Sequence, residues 1–240
     1  MSWIGTDLGL YRPCVGTYRS FPVGELPALP DHLFDGTFSW LVPGEVRASM
    51  GVDPLPEALR HQVPAAFAAF FDRPELQQAV PSCTGCYWDV SASVIPGPFG
   101  NGDRLVRILA DSQDCVLWYL HILSDGTHQV VAAGERYGDD EPLPPVAQLN
   151  SALTLVADDF ERFLYRFWVE NTAWFEAVSE ERDERNFSPA VRDYLAALPK
   201  VFSTADEAPT ELCADPLAEF FAELAADEHG DEHNVEASES

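Results

Sequence analysis

The sequence predicts an α+β fold, in which helices pack on a curved, mostly antiparallel sheet. Two patterns lead to this prediction: a three-stranded β-meander over residues 104–131, and a long helix rich in aromatic residues over residues 160–175. A sheet with apolar faces and a helix with a broad apolar stripe each need a second layer to cover them. We therefore expect this helix to pack on the sheet.

The meander reads RLVRILADSQDCVLWYLHILSDGTHQVV, with turn signals at Ser112–Cys115 and at Asp125–Gly126. Asp-Gly between β-rich segments is typical of a two-residue hairpin loop, because both central residues must reach positive φ. Since side chains alternate along a strand, one face of the middle strand carries Val116, Trp118, Leu120 and Ile122, and the other carries Leu117, Tyr119, His121 and Leu123. Two apolar faces predict a central strand. Tyr87–Ile95 predicts a further strand before the loop Pro96–Asp103.

The apolar stripe of the long helix recurs at the spacing of three and four residues expected for an α-helix. Its members are Phe160, Phe163, Leu164, Phe167, Trp168, Asn171, Trp174 and Phe175. Away from the stripe lie Glu161, Arg162, Arg166 and Glu170. Asp158 with Glu161 fits a capping box at the start of the helix. Shorter helices are predicted on both sides of Pro64 within residues 55–71, at Pro74–Gln78, and from Ser188–Pro189 to Leu198.

The chain divides into three parts by composition. Residues 1–50 contain frequent Gly and Pro between Phe, Trp and Leu, which predicts short strands or irregular segments packed on the core. Residues 51–203 hold the predicted α+β domain. Residues 204–240 contain no basic residue; they predict an acidic tail with one amphipathic helix at Asp215–Leu224 and a disordered end.

The charge of the chain restricts its partners. There are 40 acidic and 14 basic side chains, and the formal net charge is −26. Such a field repels nucleic acid and anionic lipid and favours basic partners; alternatively, the charge only maintains solubility. The sequence has no secretory signal pattern and no apolar run long enough to span a bilayer. We therefore expect a cytoplasmic protein that binds neither nucleic acid nor membranes.

Five cysteines are present, at positions 14, 83, 86, 115 and 213, and their odd number and scattered spacing do not suggest a disulfide framework. Cys83 and Cys86 have the spacing of a zinc or redox pair. With a two-residue loop at Asp125–Gly126, His121 and His128 share a sheet face, and the four side chains form a zinc site if the Cys83 loop folds over that face. The alternative is that both cysteines are structural, and this is the interpretation we adopt: no metal and no cofactor.

Other polar groups have simpler explanations than catalysis. His121 has no nucleophile identified beside it and is expected to be a packed side chain. The cluster Asp139–Glu141 lies in a Pro-rich linker and is expected to be solvated rather than to bind a cation. The nucleotide-binding, hydrolase and metalloprotease motifs are absent from the sequence. We therefore predict no catalytic residue.

Several segments, in this order, resemble the SUKH superfamily. They are the helical segment LPEALRHQVPAAFAAFF, the segment SCTGCYWDVS, the meander and the helix DDFERFLYRFWVEN, which together cover about residues 51–180. The most specific parts are PSC-x-x-C at Pro81–Cys86, D-x-Q-x-C-x-x-WYL at Asp111–Leu120 and FW-x-EN at Phe167–Asn171. They are similar to actinobacterial members of the superfamily.

The resemblance implies an α+β fold and a role other than catalysis, because many SUKH proteins are immunity proteins that neutralise a polymorphic toxin, often a nuclease. We expect a monomeric domain whose acidic surface occupies a basic toxin domain, with Trp88, Asp89, Asp111 and Tyr119 at exposed edges contacting the partner. Two alternatives remain open. One is a regulatory or scaffold protein of the cellular machinery; the other is a small zinc protein using Cys83, Cys86, His121 and His128.

Overall fold

The structure is a computed structural model, and it describes residues 1–138, 145–178 and 187–198. It confirms the predicted α+β fold: helices accompany a six-stranded antiparallel sheet that does not close into a barrel. The acidic cluster Asp139–Glu141 and the tail helix Asp215–Leu224 lie outside the described residues. No helix in the described part of the chain combines the length and apolar character needed to cross a membrane.

Two sheets are formed. β1 (Ser2–Gly5) and β2 (Arg19–Pro22) pair as an antiparallel ribbon. The main sheet contains β3 (Tyr87–Trp88), β4 (Ile95–Pro96), β5 (Arg104–Ala110), β6 (Leu117–Ile122), β7 (His128–Ala133) and β8 (Thr154–Ala157). Its order is β3-β5-β6-β7-β8, and β4 also pairs with β5. The predicted meander is therefore confirmed as β5-β6-β7, whereas the strand predicted at 87–95 is two short strands.

The hairpin loop between β6 and β7 has three residues, Ser124–Gly126, rather than the two that were predicted. The N–H of Leu123 donates to the carbonyl of Thr127 at 2.8 Å, and the N–H of Gly126 donates to the carbonyl of Leu123 at 3.0 Å. Only Gly126 has a positive φ, of 86°, as in a type I turn followed by a bulge. Ile122 therefore pairs with His128.

The helices are α1 (Ala65–Phe71), α2 (Pro74–Gln78), α3 (Val146–Ala152), α4 (Phe160–Ala173) and α5 (Pro189–Ala197). A π-helical turn at Trp174–Val178 continues α4. The residue that caps α4 is Asp159 and not Asp158 as predicted, because the carboxylate of Asp159 accepts from the N–H of Arg162 at 2.8 Å. Glu161 closes no capping box; its carboxylate accepts from Trp40 Nε1 at 3.0 Å.

The main sheet is covered on both faces. On one face, α4 packs on β6, and the rings of Trp118 and Phe167 lie 6.1 Å apart. Trp3, Phe21 and Phe38 of the N-terminal segment belong to the same buried cluster. On the other face, the cluster contains Leu105, Tyr119, Val131, Tyr137 and, from α3, Leu149. The predicted alternation of side chains along β6 is confirmed.

Candidate functional site

Three of the four residues expected to contact a partner are buried, so that expectation is wrong for them. Trp88 is enclosed by Phe70 and Phe71, whose ring centroids lie 5.3 and 5.4 Å from its own. Asp111 is buried in the β5-β6 turn, where it accepts from the N–H of Val116 at 3.2 Å. The side chains of Trp88 in β3 and of Asp111 in the β5-β6 turn therefore point into the protein and not into solvent.

Tyr119 is fully buried because the second face of the sheet is covered as well as the first. Its hydroxyl donates to the carbonyl of Glu135 at 3.1 Å and accepts from the N–H of Tyr137 at 2.8 Å. The phenol therefore anchors the segment that leaves β7. This is a structural role, and it leaves no surface of Tyr119 for a partner.

Asp89 is half-buried and belongs to an ion-pair network. Its Oδ2 accepts from Arg107 Nε at 2.8 Å and from Arg136 at 2.6 Å, and Arg136 also pairs with Asp114 at 2.8 Å. Burial alone would raise the pKa of Asp89, but the hydrogen bonds and charges of Arg107 and Arg136 together outweigh it and hold the pKa below its ordinary value. Two carboxylates balance two guanidinium groups here, so this network does not itself provide an acidic surface.

The two cysteines of the CTGC segment are reduced and enclosed. The thiol of Cys86 lies 3.4 Å from the hydroxyl of Tyr18, and that of Cys83 lies 3.8 Å from the hydroxyl of Thr6. Burial raises the pKa of Cys83 to about 12, and it also raises the pKa of Cys86. Both side chains therefore carry their protons at neutral pH, which suits structural cysteines better than nucleophiles.

The arrangement suggested for zinc is wrong, because His121 and His128 lie on opposite faces of the sheet. A shift of one residue in a hairpin turns every following side chain to the other face, and the three-residue loop causes this shift. His121 Nε2 lies 2.7 Å from Asp103 Oδ2, whereas His128 Nε2 accepts from the N–H of Phe160 at 3.4 Å. Within residues 1–138, 145–178 and 187–198, no group of three or more His, Cys, Asp or Glu side chains is placed to hold a metal ion.

A buried ion pair that the sequence did not reveal joins the N-terminal segment to α4. The carboxylate of Glu170 accepts from the two terminal nitrogens of Arg12 at 2.5 and 2.6 Å, from Trp3 Nε1 at 2.8 Å and from the hydroxyl of Tyr194 at 2.5 Å. Burial alone would raise the pKa of Glu170, but the charge of Arg12 and the hydrogen bonds of Arg12 and Tyr194 bring it below its ordinary value. Glu170 is therefore an ionised, structural carboxylate.

Two residues of the FW-x-EN segment, Glu170 and Asn171, hold other parts of the chain on α4. Besides Glu170, the side chain of Asn171 accepts from the N–H of Cys83 at 2.8 Å, which fixes the CTGC loop on α4. Arg166, one turn before Glu170, donates to the hydroxyl of Tyr194 and to the carbonyl of Pro27, both at 3.0 Å. Glu161, Arg166 and Glu170, placed away from the apolar stripe by the sequence, are all buried.

The exterior of the described residues is predominantly acidic. Exposed carboxylates belong to Glu25, Asp31, Asp35, Glu45, Glu57, Asp72, Glu75, Asp114, Asp125, Glu135, Asp158 and Asp193; exposed guanidinium groups belong to Arg47, Arg73 and Arg192. The buried arginines Arg12, Arg107 and Arg166 contribute little to the surface. The candidate functional site is therefore the extended acidic surface of the described residues.

Comparison with known proteins gives no relative: no family model matches the chain, and no curated protein or solved structure matches it.

Proposed function

We propose that the protein is a non-enzymatic protein-binding domain, and that it acts as an immunity protein whose acidic surface occupies a basic toxin domain. The observation that carries the proposal is the charge: the net charge is −26, and exposed carboxylates greatly outnumber exposed guanidinium groups over the described residues. The resemblance of four segments to SUKH proteins supports the immunity role, and the α+β fold is the one that this resemblance implies.

An acidic surface of this kind acts at long range. Complementary charge accelerates the encounter of two proteins, and at low salt it raises the association rate constant far above that of a neutral pair. A nuclease toxin carries a basic cleft for the phosphate backbone of its substrate. The carboxylates of this protein would occupy such a cleft in place of phosphates and exclude the nucleic acid.

The test is the salt dependence of binding to basic nuclease toxin domains, beginning with any that is encoded next to this protein's gene. We expect the association rate constant and the affinity to fall steeply as salt rises, because exposed charges are screened beyond a Debye length of about 10 Å at 0.1 M salt. A variant with Glu25, Glu45 and Asp193 changed to their amides should associate more slowly and depend less on salt. Equal affinity at low and high salt would show that binding does not use the acidic surface.

A further inference from the structure

A cavity of about 320 Å³ lies between the N-terminal segment, the end of β8 and α4. The apolar residues Trp3, Leu26 and Val156 line it, and so do Arg162 and Arg166. Binding sites for small molecules have volumes of about 300–1,000 Å³ and combine apolar walls with a few polar groups. The cavity therefore has the size and composition of a site for a small molecule.

The two arginines differ in their hydrogen-bond partners, because carboxylates pair with Arg162 and neutral groups bind Arg166. Arg162 is partly exposed and is ion-paired with Asp31 and Asp159. Arg166 is buried, and its two hydrogen bonds go to neutral groups, the hydroxyl of Tyr194 and the carbonyl of Pro27. Burial raises the pKa of Tyr194, so this phenol stays neutral. Among the described residues, no carboxylate forms an ion pair with Arg166.

The neighbouring carboxylate of Glu170 interacts with the charge of Arg166, but its direct ion pair is with Arg12. Both oxygens of Glu170 are bonded to Arg12, so Arg12, Arg166 and Glu170 together form two cations and one anion in the interior. A buried charge without a counter-charge is costly. Two bonds use only two of the five N–H donors of a guanidinium, which leaves Arg166 able to bind an anion that enters the cavity.

We infer that this cavity binds a small organic monocarboxylate, whose carboxylate pairs with Arg166 and whose apolar body lies against Trp3, Leu26 and Val156. Carboxylate and guanidinium form short, charge-assisted hydrogen bonds with matching geometry. Asp31 and Asp158 also line the cavity, and they repel a dianion such as phosphate about twice as strongly as a monoanion, so a single carboxylate is the better partner for Arg166. The inference does not depend on the proposed protein-binding function.

The experiment is a calorimetric titration of the full chain with butyrate, hexanoate and phenylacetate, each beside its neutral amide. We expect at least one acid to bind, and its amide to bind at least about tenfold more weakly, since the amide has the same shape without the charge. Arg166→Gln should remove this preference for the acid. No binding of any acid, or equal binding of an acid and its amide, overturns the inference.

Two tryptophan variants locate the ligand even if Arg166→Gln does not fold. Gly24 lines the cavity, and a Cβ atom there would meet nothing within 4 Å, so Gly24→Trp adds a ring at the cavity without a backbone clash. Gly44 has equally open surroundings but does not line the cavity, and Gly44→Trp is the matched control. We expect Gly24→Trp to lose binding of the acid and Gly44→Trp to keep it. Unchanged binding to Gly24→Trp would place the ligand elsewhere and refute the site.

Discussion

Changing Glu170 to Gln should be among the most damaging single substitutions in this chain. Arg12 exposes 0% of its surface and Glu170 only 2%, so neither charge can be solvated by water. Gln has nearly the same shape as Glu but no charge, and it would leave Arg12 and Arg166 as two buried cations without an anion. Removing one partner of a buried ion pair costs about 3–5 kcal/mol, a large part of the roughly 5–15 kcal/mol that stabilises a typical domain.

Urea unfolding followed by tryptophan fluorescence measures this loss as a decrease in the free energy of unfolding. Glu45→Gln is the matched control: Glu45 is exposed, and surface substitutions change stability by less than about 0.5 kcal/mol. A loss below about 1 kcal/mol for Glu170→Gln, the value of an ordinary hydrogen bond, would refute the conclusion that Glu170 is ionised and needed to neutralise Arg12.

The same pair predicts how stability depends on pH. Burial raises the pKa of Glu170, but the charge and hydrogen bonds of Arg12 together with the hydrogen bond of Tyr194 outweigh it, so in the folded state the pKa lies below its ordinary value. The stabilisation is fully present above the pKa of an unfolded Glu, about 4.3, and is lost as pH falls through the lower folded value. The free energy of unfolding of the wild type should therefore fall more steeply below about pH 4 than that of Glu170→Gln. Equal slopes would contradict this.

Three further predictions follow from the described contacts. Replacing both Arg12 and Glu170 with Met should cost less stability in urea than Glu170→Gln alone, because no unpaired partner remains in the pair; a larger loss would show that the hydrogen bonds to Trp3 and Tyr194 dominate. Asp103→Ala removes the acceptor beside the buried His121 and should lower the free energy of unfolding by about 1–3 kcal/mol, whereas no change would exclude a hydrogen bond there. Because burial raises the pKa of Cys83 to about 12 and also that of Cys86, iodoacetamide at neutral pH should label both much more slowly in the native protein than in urea, as peptide mass spectrometry would show; equal rates would mean that the CTGC loop is open.

The parts of the fold that the sequence predicted correctly are those with a long periodic pattern. The middle strand of the meander alternates over Val116–Leu123, and the stripe of α4 recurs over four turns, so each pattern determines both the element and its buried face. The hairpin loop was less certain, because Asp-Gly occurs in two- and three-residue loops. The choice of two residues placed His128 on the wrong face and created a zinc arrangement that does not exist.

The buried charges were not predicted because their partners are distant in sequence. Arg12 and Glu170 are separated by 158 positions, and no local pattern connects them. Glu161, Arg166 and Glu170 lie off the apolar stripe of α4, where a two-layer packing would leave them in water. The N-terminal segment covers that side of the helix and supplies Trp40, Pro27 and Arg12 as partners. The expected exposure of Trp88, Asp111 and Tyr119 failed for a related reason, since additional segments cover both faces of the sheet.

The distribution of charge gives the two proposed binding events opposite responses to salt. A basic protein is attracted to the acidic exterior, so its association rate constant should fall as salt rises. A monocarboxylate entering the cavity must cross the same negative field before it reaches Arg166, and salt screens this repulsion while affecting the buried pair less. The association rate constant of the acid should therefore rise or stay level with salt, as measured by relaxation kinetics. If both rate constants fall together, the acid is binding to the surface and not to the interior cavity.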